Sequence, residues 1–340
     1  YKAQLERNGQ EWGVRFESHF CESVMNAFLL KIAEDEACRM ARATGRNDAA
    51  EKLEAMSAEL SRRIQTHCWK ENFFARAMIN SPRDGGYTFV GAKGDRLSAN
   101  PAIDGSYFLN SFTWSILAGV ATEEQIATML GVVKAHLRCP AGLKLSTPCD
   151  LDKISTTTAT EHYFPGDREN GAVFKHATMM ATAAMFRAAK TVKSDALAAK
   201  LSDLAFWMLD LVVPDRPLND PFTFTGNPRF CTQYNNSETM ENVGPMLSGT
   251  ASWLSLTVSE FLGIDYNDGG IELSPILPDD SENVDFELNR IGTRFLVHFE
   301  KSKGFARVGD GTRSTFDGEA CGRIVPAPMD GGVHRITVAL

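Results

Sequence analysis

What this 340-residue sequence lacks narrows its function before any motif is considered. It has no uninterrupted apolar run near the ~18 residues that a membrane helix needs, so a membrane protein is not expected. It has no excess of positive charge: 35 Lys and Arg stand against 43 Asp and Glu, a net charge of −8. Nucleic acid attracts basic surfaces, so no nucleic-acid partner is expected either. The seven cysteines are scattered, and none forms a Cys-x-x-Cys pair. That pattern fits reduced thiols in a cytoplasmic protein better than a disulfide frame or a zinc site. No His/Cys/Asp spacing suggests a metal, no Gly-rich loop suggests a nucleotide, and no cofactor is implied. There is no visible signal peptide and no initiating methionine, since the chain opens on Tyr1-Lys2-Ala3. A processed or truncated piece is the expectation.

What is present is mostly helical punctuation. Cys21 to Ala43 reads as a helix with Val24, Phe28, Ile32 and Met40 on one face and Gly45 as its stop. A second helix runs from Asp48 to about Thr66. Asn72-Phe73-Phe74 and Tyr87 to Val90 read as short strands around a turn at 81–86. Tyr107 to Trp114 reads as a buried helix, and Thr122-Glu123-Glu124 caps another that reaches about Leu137. A long loop, Arg138 to Asp167, precedes helices over about Asn170–Lys190 and Ser194–Leu211. A second long loop, Val213 to Leu247, precedes a helix from Ser248 to Leu262. After Gly263 the apolar period switches to about two: Ile271 to Leu273, Phe286 to Leu288, Thr293 to Phe299, Phe305 to Val308, Gly322 to Val325 and Val333 to Val338. The expected fold is therefore mainly α, an α/α toroid over 1–263 followed by a small β module over 264–340. A toroid of six helix pairs needs twelve helices and seven are read here, so part of it is expected to lie outside the chain.

The richest cluster is Arg168-Glu169-Asn170-Gly171-Ala172-Val173-Phe174-Lys175-His176, where the turn-forming loop Tyr163-Phe164-Pro165-Gly166-Asp167 gives way to an apolar run. Helical spacing at Val173, Met180, Ala184 and Ala188 places the cluster at a helix start, where unpaired N–H groups face an anion. A lone helix histidine is more often a core residue; the charged company of His176 is what raises it to a candidate ligand. Leu247 to Trp253 is the second candidate. Ser248 suits an N-cap, and Gly249 lets an anion approach the first helical amides, although plain capping explains both. Asp220, Glu238 and Glu241 lie in the loop before it; loop carboxylates can do acid–base work but are usually only solvated. Trp12, Trp69, Trp114 and Trp253 could stack on sugars, yet Trp114 and Trp253 sit in apolar helices and read as core.

Several segments together resemble the inverting disaccharide phosphorylases of glycoside hydrolase family 94. They are Cys21 to Val24, Asn110 to Ala121, Gly142 to Pro148, Arg168 to His176 and Ser248 to Trp253, in the family's order. Gly91 to Asp95, Asp104 to Tyr107 and Asn242 to Met246 look most like the β-1,2-oligoglucan (sophorooligosaccharide) branch. The resemblance implies an (α/α)6 barrel with a C-terminal β module. It implies reversible phosphorolysis of a β-linked glucooligosaccharide to α-glucose 1-phosphate, with inorganic phosphate as co-substrate and nucleophile and one acid protonating the leaving oxygen. By position, His176, Ser248, Gly249 and Arg168 look like phosphate contacts. Arg168, Glu169 and Asn170 look like walls of the sugar and phosphate sites, and Gln233 and Tyr234 like acceptor-side residues. The general acid departs from the family pattern. It is the last Asp of an Asp-Trp-Asn-Asp motif, and aligning that motif on Trp12 puts Val14 in its place. Either Glu11 or Glu17 substitutes, or the acid lies upstream of Tyr1; the helix count favours upstream, in a missing N-terminal part of the same protein. An inverting hydrolase using Glu238 or Glu241 as base, and a non-catalytic glucan-binding fragment, are the alternatives.

Overall fold

Cys21–Ser23 is a strand, not the first turn of a helix: it pairs antiparallel with Ala77–Ile79 and fixes where the first helix starts. The computed structural model describes residues 21–80, 87–150, 163–213, 232–245, 248–267, 269–302, 304–309 and 311–340. Trp12 with Glu11, Val14 and Glu17, the 81–86 turn, and Asp220 lie outside the described residues.

The described residues contain seven α-helices: α1 (Val24–Ala43), α2 (Asn47–Cys68), α3 (Leu109–Leu117), α4 (Glu123–Val132), α5 (Lys175–Thr191), α6 (Asp195–Val212) and α7 (Ser248–Leu262). Gly45, at φ +73°, closes α1 in the left-handed region and turns the chain into α2. The buried face of α1 is not the expected one. Val24, Phe28, Glu34, Cys38 and Ala41 are inside, while Met40 is 69% exposed. Thr122 forms the expected capping box with Gln125 at the head of α4, which runs on through a π turn at Val133–Leu137. The expected helix from Asn170 starts five residues later, because Val173–Phe174 is a strand. Both long loops also carry hairpins, Arg138–Cys139 with Gly142–Leu143 and Thr232–Asn235 with Asn242–Pro245. Trp114 and Trp253 are half-buried rather than core. None of the described helices is long and apolar enough to cross a membrane.

The chain divides into two compact units, one of residues 1–184 and 208–251, the other of 185–207 and 252–340. In the first, Phe28 and Trp69 pack edge-on against Phe74, and the Tyr107 ring stacks on His136 at 5.3 Å. Asp95 braces the 91–106 loop by accepting from the amides of Gly91, Leu97 and Ser106. The second unit contains the β module expected after Gly263. Its largest sheet runs in the order 284–290, 293–300, 333–339, 313–316, 319–321, antiparallel except where 293–300 and 333–339 run parallel. Phe295, Val297 and Phe299 alternate inward onto Ile336, Val338 and Val325, as period-two strands require. Gly270, at φ +148°, is obligatory there: a Cβ would stand 2.1 Å from the Val325 carbonyl oxygen.

Candidate functional site

The cluster at 168–176 and the helix start at Ser248 are joined by a three-stranded sheet that periodicity could not reveal. Val173–Phe174 pairs antiparallel with Thr232–Asn235, and that strand pairs antiparallel with Asn242–Pro245. The two outer strands therefore run in the same direction, and each delivers the chain to a helix start. Phe174 is followed at once by Lys175 of α5, and Pro245 by Ser248 of α7 after two residues. Outer strands of a three-stranded sheet are two strand spacings apart, about 10 Å. The amino ends of α5 and α7 thus emerge from the same end of one sheet, within the first unit. Two helix starts side by side present two sets of unpaired amides and two positive dipole ends to the same region.

His176 stands on the first turn of α5. The Phe174 ring meets it edge-on at 5.5 Å, and its buried Nδ1 has no hydrogen-bond partner in the chain. Burial lowers its pKa and the nearby Glu169 carboxylate partly opposes this, so the ring is neutral near pH 7. Neutral imidazole can donate from one nitrogen and accept at the other, as suits a phosphate whose own protonation varies. Thr250, on the first turn of α7, is fully buried and its hydroxyl is likewise unmatched. Lys175, 1% exposed, donates to the Ala141 carbonyl at 2.9 Å and ties α5 to the 138–143 hairpin.

Arg168 lies outside this buried layer. Its backbone is left-handed (φ +43°), its guanidinium covers the Tyr163 ring at 5.1 Å, and hydrogen bonds to Tyr234 and Tyr163 raise its pKa. Tyr234 in turn stacks on Phe174 at 5.1 Å. A continuous contact series, Tyr163, Arg168, Tyr234, Phe174, His176, results. Gln233 and Tyr234 are therefore strand residues and not part of a free loop; Tyr234 is buried and Gln233 half-buried. Glu169 is exposed. Asn170 is buried and committed to the backbone. Its Oδ1 accepts from the Cys149 amide at 2.7 Å, and its two amide hydrogens go to the carbonyls of Cys149 and Tyr163, both at 3.0 Å. No donor is left for a sugar hydroxyl, so Asn170 holds the walls rather than forming one.

Sequence reading named Arg168, Glu169 and His176 in one cluster and Tyr234 in a separate loop, and the structure sets all four on this sheet and its loop. It missed Phe174, Thr250 and Tyr163, because a two-residue strand carries no period and a buried hydroxyl carries no sequence mark. Glu238 and Glu241 sit exposed at the tip of the 235–242 hairpin, a poor position for a buried base. Burial pushes the Cys149 thiol up to about 12, which leaves it without nucleophilic character. Among the described residues no group of three or more His, Cys, Asp and Glu side chains is placed to hold a metal ion.

A family model described as the catalytic domain of the glycosyl hydrolase 94 superfamily matches residues 8–205, more than half of the chain. Among curated relatives, an N,N'-diacetylchitobiose phosphorylase of Vibrio proteolyticus is 23% identical, covering 94% of this chain and 38% of the relative. A 3-O-beta-D-glucopyranosyl-beta-D-glucuronide phosphorylase and a solabiose phosphorylase, both of Paenibacillus borealis, are each 25% identical. They cover 94% and 93% of this chain, and 39% of each relative. The chain thus spans a little under two-fifths of the length of these relatives. A solved structure titled "Sialidase" superposes with a TM-score of 0.51 at 13% identity, covering 81% of this chain and 22% of that one, a likeness of fold alone.

Proposed function

The chain belongs to the glycosyl hydrolase 94 superfamily, and from that membership we propose that it carries the phosphate side of an inverting phosphorylase acting on β-linked glucosides. Phosphate attacks the anomeric carbon from the face opposite the leaving group. The new C1–O–P bond forms as the C1–O bond to the acceptor sugar breaks, and a carboxylic acid protonates the departing oxygen. The product is α-glucose 1-phosphate, and no second carboxylate is needed because phosphate is the nucleophile. His176 and the amides of Ser248 and Gly249 bind the phosphate. Arg168 closes over it with Tyr234 behind it against Phe174, and Glu169 faces the sugars. The general acid lies outside the described residues. Residues 1–263 contribute to an (α/α)6 barrel, and 264–340 form the appended β module.

The observation that carries this reading is the sheet that sets the starts of α5 and α7 side by side, with a neutral, unmatched histidine on one of them. Such a site stabilises the charge of an attacking phosphate dianion in a fixed direction. A β-1,2-linked glucooligosaccharide is the substrate favoured by the segments Gly91 to Asp95, Asp104 to Tyr107 and Asn242 to Met246. The test is release of glucose 1-phosphate from sophorooligosaccharides by the full-length protein, with and without inorganic phosphate. Phosphate-dependent release is expected. Glucose released without phosphate would replace the phosphorylase with a hydrolase, and no product from any β-glucan would leave a binding protein.

A further inference from the structure

We propose that Phe164, with Tyr163 beside it, is an aromatic platform for a further sugar unit of an oligosaccharide chain, outside the unit that reacts. Phe164 is 72% exposed and Tyr163 37% exposed, two adjacent aromatics that the fold does not bury. An exposed phenyl ring is ordinary on a flexible surface segment, but this one is rigidly presented. Phe164, Pro165, Gly166 and Asp167 form a turn in which the Asp167 amide donates to the Phe164 carbonyl at 3.0 Å. Proline at the second position and Gly166 at φ +88° at the third are the requirements of a type II turn.

The turn is bound on both sides. The Gly166 amide donates to the Asn170 carbonyl at 2.8 Å, and the Ser237 amide donates to the Gly166 carbonyl at 2.8 Å. Asn170 also donates to the Tyr163 carbonyl at 3.0 Å. A Cβ on Gly166 would stand 2.5 Å from Cγ of Glu238, so the glycine lets the turn seat against the 235–242 hairpin. The exposed ring is therefore pre-positioned and loses little freedom when it is covered.

The surroundings select the ligand class. Arg168, Glu169 and Glu238, all exposed, surround the turn with hydrogen-bonding groups, and Arg168 already covers one face of Tyr163. An apolar ring rimmed by both donors and acceptors matches a pyranose, which has an apolar C–H face and an equatorial belt of hydroxyls. A wholly apolar partner would leave those charges unsatisfied. The turn is continuous with Arg168 and Glu169, so the sugar it holds belongs to the same chain as the one that reacts. This assignment of the ligand as glucosyl rests on the phosphorylase reading; the platform itself rests on the turn.

Phosphorolysis of β-1,2-glucooligosaccharides of increasing length by the full-length protein and its Phe164→Ala variant tests the proposal. The expected result is a kcat/KM about tenfold lower for the longer chains, with the disaccharide within twofold of the unchanged protein. Phe164→Trp should restore the longer chains. An equal kcat/KM ratio at every length would overturn the platform. Should the unchanged protein release no product at all, the phosphorylase reading fails and Phe164→Trp decides the platform separately. A saturable change in its indole emission on titration with the oligosaccharide supports the platform, and a flat titration overturns it.

Discussion

His176 and His334 face opposite environments in the two units. His176 is tucked behind Phe174 with its buried Nδ1 unmatched, and burial lowers its pKa. His334 lies between the rings of Phe295 and Phe316. Its Nδ1 meets Asp317 at 2.7 Å, its Nε2 meets Asp330 at 3.2 Å, and those carboxylates raise its pKa. The contrast extends beyond two residues. Buried hydroxyls without a partner recur in the first unit at Thr178, Ser237 and Thr250, whereas Ser202 is the one such side chain among the described residues of the second. Interior polar groups are normally matched. Of these open groups, the His176 Nδ1 and the Thr250 hydroxyl lie at the two helix starts of the candidate site.

The largest expected effect that follows from this contrast is on turnover. His176→Ala in the full-length protein should lower kcat/KM for phosphorolysis by roughly 100-fold or more, with the phosphate KM rising more than the sugar KM. His334→Ala should leave kcat/KM within about twofold; steady-state kinetics giving equal losses for the two would dissolve the contrast. Next comes Gly270→Ala. With φ at +148° and the Val325 carbonyl in the way, it should destabilise the β module by about 3 kcal/mol in a denaturant titration. A cost below 1 kcal/mol would mean that the strand ends there are not tightly packed.

Asn170→Ala removes three hydrogen bonds to the backbone, two of them buried, and should cost about 2 kcal/mol of stability. It should also lower activity through Arg168 and Glu169, which it positions. A variant as stable as the unchanged protein would show that water replaces the amide without cost.

The smallest effect is on pH dependence, and the two histidines give opposite signs. The folded pKa of His334 is raised above 6.5, so the stability it adds is full below pH 6.5 and lost as pH rises through that raised value. The folded pKa of His176 is lowered, so the unfolded chain binds its proton first. Stability falls as pH drops from 6.5 toward that lowered value. Melting temperatures across pH 5–8 should lose the alkaline slope in His334→Gln and the acidic slope in His176→Gln. Unchanged slopes would assign the pH dependence to other groups.

Much of the architecture was readable because it is periodic. α1, α2 and α4, the Thr122 cap and the strands after Gly263 all repeat over enough residues to leave a signal. The buried face of α1 was misjudged because a 20-residue helix offers several near-equivalent apolar stripes, and only its neighbours chose Cys38 and Ala41 over Met40. Asn170 looked like a wall residue because sequence shows which atoms a side chain has, not which of them are already in use.

The sequence by itself determined the ingredients of the site, a charged cluster before one helix and a Ser-Gly start before another, because composition and turn chemistry are local. Only the tertiary structure decided that they belong together. Val173–Phe174 and Asn242–Pro245 are some 70 residues apart in the chain. They are brought side by side by Thr232–Asn235, through backbone hydrogen bonds whose donors and acceptors every residue except proline carries. Backbone pairing of that kind has no side-chain signature, so strands of two to four residues leave too few side chains to mark it in advance.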